Sequence, residues 1–111
     1  MNVREEKHGE TIVLEAEGRV DSTTAPQLGE ALAVALGSGH KGLILDLHRL
    51  EYISSAGFRV ILQAAKRADQ AGSRFVLCGI SGKVRQLFDL GGFLGLYPTY
   101  ATKEEGLGSM Q

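Results

Sequence analysis

The chain has 111 residues, 43% of them apolar, with 12 Lys and Arg against 13 Asp and Glu and a formal charge of −1. That size suits one domain over residues 1–111 around one hydrophobic core, and the composition is too apolar for disorder. The balanced charge argues against nucleic-acid binding and a polybasic membrane anchor. With no signal peptide and no apolar run near the roughly 20 residues that cross a bilayer, a cytoplasmic protein is expected.

Residues 2–8 are polar and extended in character, and Thr11–Ala16 is rich in β-branched and apolar residues ahead of Gly18. They predict two strands joined by a hairpin at Gly9-Glu10. A helix follows, capped by Thr23 or Thr24, with Pro26 in its first turn. Ala25, Leu28, Leu32, Ala35 and Leu36 share one face of it, and Gly37 and Gly39 end it.

Leu43–Leu47 is the most hydrophobic strand candidate, and its near-continuous apolar run predicts a central strand covered on both faces. His48 to Ile53 reads as a loop with Leu50 and Ile53 turned inward. A second helix is expected from about Ser55 to Gln70, closed by Ala71-Gly72. Phe58, Ile61, Leu62, Ala65 and Ala68 form its buried stripe, and Arg59, Gln63, Lys66, Arg67 and Gln70 its wet side.

Arg74–Cys78 predicts another strand. Cys78 is the one cysteine, so no internal disulfide forms, and it reads as a small core residue. Ser81 starts a third helix, over about 82–90, with Val84, Leu87 and Phe88 inward and Gly91-Gly92 as its stop. Leu96–Tyr100 is expected as a short last strand. Thr102 caps a short final helix, and Gly106 to Gln111 are expected to fray. The order predicts an α/β fold: a mixed, mostly parallel sheet opened by an N-terminal hairpin, with packed helices.

Open α/β sheets place their sites at the carboxyl ends of parallel strands. Two segments fall there: Asp21-Ser22-Thr23 and Ile53-Ser54-Ser55-Ala56-Gly57. In the second, two serines stand where a strand-loop unit meets a helix. The first-turn N–H groups are unsatisfied there and the helix dipole is positive, so a serine can cap them or carry a phosphate that they stabilise. From spacing alone a plain N-cap is the commoner explanation, and Gly57 serves to let helix and sheet approach. The glycines around the serine turn match no phosphate-binding loop, and no GxxxxGK[ST], HExxH or GxSxG sequence is present, so neither a cofactor nor a metal site is expected. His8, His40 and His48 lack metal-pair spacing. Asp46 reads as a backbone-binding residue at a strand end, and Asp21 as the carboxylate nearest the serine turn. Ser55, His48 and Asp21 do not assemble into a catalytic set, so no enzyme is expected.

The segments GRVDSTTAPQL (18–28), LILDLHRLEYISSAGFRVIL (43–62) and FVLCGISGKVRQLFDLGGF (75–93), in this order and spacing, resemble the STAS domain family. The likeness runs over roughly residues 10 to 107, and is closest to the stand-alone bacterial anti-sigma factor antagonists. It implies a cycle. The unphosphorylated antagonist binds an anti-sigma factor, often a serine kinase of the histidine-kinase-like ATPase fold, and a sigma factor is freed. The kinase then phosphorylates a serine on the antagonist, and a PP2C-type phosphatase resets it. Some relatives act in partner switching that does not end in a sigma factor.

The family's acceptor is the first serine of an Asp-Ser-Ser-Gly motif. Aligned on Gly57, this chain has Ser54 in place of the acidic residue, Ser55 as acceptor and Ala56 as the second serine. Ser55 is therefore the implied phosphoacceptor, with Ser54 the alternative. Asp21, Ser22, Thr23, Ser54, Gly57, Phe58 and Arg59 are the implied partner-binding residues. Phe58-Arg59 replaces a frequent Leu-Gly, so Arg59 is an unusual charge beside the site. A competing reading is a nucleotide or small-ligand module that uses Asp21 and the Ser54–Gly57 turn.

Overall fold

The computed structural model describes residues 1–90, 92 and 97–110. The elements run β1 (Asn2–His8), β2 (Thr11–Val20), α1 (Ala25–Leu36), β3 (Gly42–Asp46), β4 (Leu50–Ile53) and α2 (Ser55–Ala71). They continue with β5 (Arg74–Cys78), α3 (Gly82–Leu90), β6 (Thr99–Tyr100) and α4 (Lys103–Ser109). The expected hairpin opens the sheet: β1 runs antiparallel to β2, with His8 opposite Thr11. From β2 onward the neighbours are parallel, giving the order β1-β2-β3-β5-β6. This is the mixed, mostly parallel α/β architecture that the element order predicts.

One element differs from expectation. Leu50–Ile53 is not a loop but a fourth strand, β4, parallel to the last residues of β2, with Val20 opposite Ile53. β2 is long enough, at 10 residues, to pair with β3 over its first half and with β4 over its end. The pairing shifts register between Gly18 and Arg19, where one extra residue re-aims the strand.

The sheet separates two cores. Ile12, Leu14, Leu43, Leu45 and Leu77 face α1, α2 and α3, whose Leu28, Leu32, Ile61, Ala65, Val84 and Phe88 complete the larger one. Residues of opposite strand parity, Val13, Ile44, Val76 and Cys78, face α4 with Tyr100, Leu107 and Met110 beside them. All five residues of β3 are buried, as expected of a strand covered on both sides.

The C-terminal segment is more ordered than its composition predicts. α4 reaches Ser109, and Gly106 is buried against Ile44. The last strand is the pair Thr99–Tyr100, shorter than Leu96–Tyr100, and Leu96 and Gly91 lie outside the described residues. No helix among the described residues is long and apolar enough to cross a membrane.

Ile44 is fully buried between β-strand neighbours and α4. Ile44→Ala should lower unfolding free energy by about 2–5 kcal/mol, read as a shifted urea midpoint. A loss under about 1 kcal/mol would mean that α4 does not cover this strand.

Candidate functional site at the β4–α2 junction

β2 and β4 end side by side. The Ser54 N–H donates to the Val20 carbonyl at 2.8 Å, which places the turn after β2 next to the first turn of α2. The two sequence segments expected at the carboxyl ends of strands are thus brought together. Asp46 is not part of this site: it pairs with Glu15 on β2, six residues before Asp21, roughly 20 Å of extended chain away.

The Asp21 turn is held by its own side chains. Asp21 Oδ1 accepts from Thr23 N at 2.9 Å, Thr23 Oγ1 at 2.7 Å and Thr24 N at 3.2 Å. These bonds, the Thr23 hydroxyl's foremost, hold the Asp21 carboxyl below its ordinary pKa. Thr24 stands at the N-cap of α1, yet its hydroxyl caps nothing there. It donates to the Arg19 carbonyl at 2.8 Å and accepts from Asp21 N at 2.9 Å, so it clamps the strand end instead. The expected threonine cap is replaced by a carboxylate-centred turn. Ser22 and Thr23 are exposed on it.

Ser54 is the N-cap of α2, with φ −95° and ψ 175°, and makes no side-chain cap bond. Less than 1 Å² of its hydroxyl oxygen is exposed, and that oxygen has no hydrogen-bond partner. Ser55, the first residue of the helix, is exposed. The first intrahelical acceptor, the Ser54 carbonyl, takes the Phe58 N–H at 3.0 Å. The N–H groups of Ser55, Ala56 and Gly57 precede that bond and have no carbonyl of the helix to reach.

Gly57 is a contact requirement. A Cβ there would lie 2.6 Å from Ile53 Cγ1 and 2.8 Å from Val20 Cγ1, so only glycine lets α2 start this close to the strand pair. Phe58, half-buried, meets Phe88 of α3 edge-on, with centroids 4.9 Å apart at 78°. Arg59 is exposed, one turn beyond Ser55. Sequence reasoning missed one neighbour: Arg19 stacks over the Tyr52 ring at 4.4 Å. These residues stand opposite each other in the β2–β4 pairing, a signal visible only once β4 is recognised.

A second polar cluster lies at the ends of β3 and β5. Glu15, Asp46 and His48 bring ligand-type atoms within 4.8 Å of one another. Asp46, 2% exposed, accepts at Oδ1 from His48 Nδ1 at 2.9 Å and from His48 N at 3.1 Å, the backbone-binding role expected of it. Arg49 Nε lies 3.5 Å from Glu15. These atoms are thus already paired within the chain. The neighbouring cavity, about 350 Å³, is lined by Asp46, His48, Gly79 and residues 101–104, and by neither Asp21 nor the serine turn. The His48 ring is turned to Asp46, at the other end of β4 from Ser55.

Two outcomes follow from these placements. Replacing an N-cap serine by alanine ordinarily costs about 1 kcal/mol, but the Ser54 hydroxyl is buried and unpaired. Ser54→Ala should therefore leave stability unchanged or raise it by up to about 1 kcal/mol in urea denaturation. A clear loss would show that the hydroxyl caps α2 in solution. Burial, reinforced by the Asp46 charge, pushes the Cys78 thiol up to about 12. Native protein should resist iodoacetamide at pH 8 and react only once unfolded, and rapid native alkylation would refute its core placement.

The likeness to known proteins accords with this geometry. The STAS domain family model matches residues 2–106. BtrV of Bordetella bronchiseptica, provisionally named an anti-sigma factor antagonist, is 42% identical over 88 residues, 79% of this chain and 76% of its own. An anti-sigma factor antagonist from Mycobacterium paratuberculosis superposes with a TM-score of 0.88 at 22% identity, covering 97% of this chain and 92% of that one. SpoIIAA, the Bacillus cell fate determinant in its phosphorylated form, gives 0.76 at 23%, covering 99% and 100%. At those identities the structural matches speak for the fold. The family match, over nearly all the chain, and the BtrV likeness speak for descent: this chain belongs to the STAS domain family.

Proposed function

We propose that this chain is a cytoplasmic anti-sigma factor antagonist, a binding protein and not an enzyme, switched by a phosphoryl group on Ser55. The observation that carries the choice of residue is the contrast between the two serines. Ser55 stands exposed at the start of a 17-residue helix, while the Ser54 oxygen is sealed. A kinase reaches only the former without local unfolding. BtrV carries the antagonist name at 42% identity, and SpoIIAA has been solved phosphorylated, which supports the same cycle here.

The partner in this reading is an anti-sigma factor that is also a serine kinase of the histidine-kinase-like ATPase fold. Bound to the antagonist, it releases its sigma factor. It then transfers the γ-phosphoryl of ATP: a bond forms between phosphorus and Ser55 Oγ, the bond to ADP breaks, and the hydroxyl proton passes to a base of the kinase. A PP2C-type phosphatase hydrolyses the ester and restores the hydroxyl.

The phosphoserine carries about −1.5 to −2 charges at neutral pH. On this chain it faces the open N–H groups of the first turn and the positive end of the α2 dipole, so the fold tolerates it. The partner, fitted to a neutral hydroxyl, does not. A change of about 3 kcal/mol in binding separates the pair more than a hundredfold. The turn that carries Asp21, Ser22 and Thr23 and the exposed Ser55 and Arg59 of α2 would form the docking face, with Phe58 half-buried beside them and Gly57 and the Ser54 hydroxyl buried behind it.

Titration calorimetry of the full chain against its anti-sigma factor tests this. Ser55→Ala should bind as wild type, and Ser55→Asp should weaken binding at least about tenfold. Equal binding by both variants would overturn the switch.

A further inference from the structure

The charges of this nearly neutral chain are segregated. Residues 55–90 carry six Lys and Arg against two Asp and Glu, whereas residues 1–54 carry five against nine. The ion pairs among the described residues join Glu6, His8, Glu10, Glu15, Glu17, Lys41, Asp46, His48, Arg49 and Lys103. The exposed cations of α2 and α3, Arg59, Lys66, Arg67, Lys83 and Arg85, belong to none of those pairs. Along α2, at 3.6 residues per turn, Ser55, Arg59 and Lys66 fall within about 40° of one another. Both cations are exposed, Arg59 one turn from the serine and Lys66 about three turns along the same face.

Resting on the function proposed above, we propose that this stripe docks onto an acidic surface of the anti-sigma partner, and that Arg59 changes allegiance when Ser55 is phosphorylated. In the unphosphorylated chain Arg59 and Lys66 meet partner carboxylates. A phosphate on Ser55 stands one helical turn before Arg59, the spacing at which opposite charges on a helix surface meet. Arg59 then pairs with the phosphate, and the surplus negative charge faces the partner's own acids. One modification thus removes an attraction and adds a repulsion. The occupant is a protein rather than a nucleic acid, because the cations form a short stripe on a chain of net charge −1.

The experiment is calorimetry of the full chain with its ATPase-fold anti-sigma factor, at two salt concentrations. Wild-type affinity should fall about tenfold between 50 and 300 mM NaCl. Arg59→Gln and Lys66→Glu, both at exposed positions, should each weaken binding about five- to tenfold and flatten the salt dependence. Lys7→Glu, on the exposed β1, should bind within about twofold of wild type. By phosphorus NMR of the Ser55-phosphorylated chain, the second phosphate pKa, ordinarily about 6, should be lower in wild type than in Arg59→Gln. If both stripe variants bind as wild type while Ser55→Asp is lost, the acidic partner is refuted and the switch stands. If Ser55→Asp also binds normally, both fall. Equal or tighter binding of wild type to a 20-base-pair DNA duplex or to phosphatidylserine vesicles, lost in the same variants, would mark a general anion surface and overturn the protein assignment.

Discussion

A single hydrogen bond, from the Ser54 N–H to the Val20 carbonyl at 2.8 Å, marks the constraint on which the site depends. It extends the β2–β4 pairing by one residue and brings two separate turns to the same edge. α2 then leaves the sheet so close to Val20 and Ile53 that Gly57 has no room for a Cβ. A side chain there would have to displace the branched side chains of two buried residues, both nearly solvent-free. The position of the exposed serine is therefore fixed by packing beneath it.

The polar groups divide by whether the chain satisfies them itself. Asp21 spends Oδ1 on Thr23 and Thr24, which makes it a turn-former before it is anything else. Asp46, His48, Glu15 and Arg49 close on one another at the far end of the sheet. Lys103 ties α4 to β1 through Glu6 at 2.9 Å. At the site the start of α2 stays open, with its first N–H groups, its exposed hydroxyl and the cation one turn on. Groups satisfied at home contribute shape to an interface, and groups left open contribute energy to it.

Most of the architecture was legible because its signals are periodic. The apolar run of β3, the buried faces of α1 and α2 and the hairpin at Gly9-Glu10 all follow from spacing. β4 was not legible: Leu50-Glu51-Tyr52-Ile53 buries only its first and last residues, and its partners Gly18, Arg19 and Val20 lie 32 or 33 positions earlier. The start of α4 was legible in its Thr102 cap, whose hydroxyl accepts from Glu105 N, but its run past Gly106 was hidden by glycines that disfavour a helix, a preference outweighed by burial of Gly106 and Leu107 against the sheet. Adjacent serines are chemically equal in a sequence. Only the extended backbone of Ser54, followed at once by helix, sends one hydroxyl inward and leaves the other in water.

A switch that works by charge alone needs a scaffold indifferent to the charge, and the energies here are ordered that way. An anion at a helix N-terminus stabilises the helix by about 0.3–1 kcal/mol when exposed, a small and favourable term. α2 is held by Ile61, Ala65 and Ala68 in the larger core and by the Phe58–Phe88 contact, the last alone contributing about 0.5–1.5 kcal/mol beyond its buried area. Added charge therefore has no reason to move the helix. Its effect is confined to whatever approaches within a Debye length, about 8 Å at physiological salt. A docked protein surface meets that condition and the buried core, already paired or apolar, does not respond. On the proposed function, the rigidity that Gly57 and the β2–β4 pairing impose would turn a local anion into a change of partner and not a change of shape.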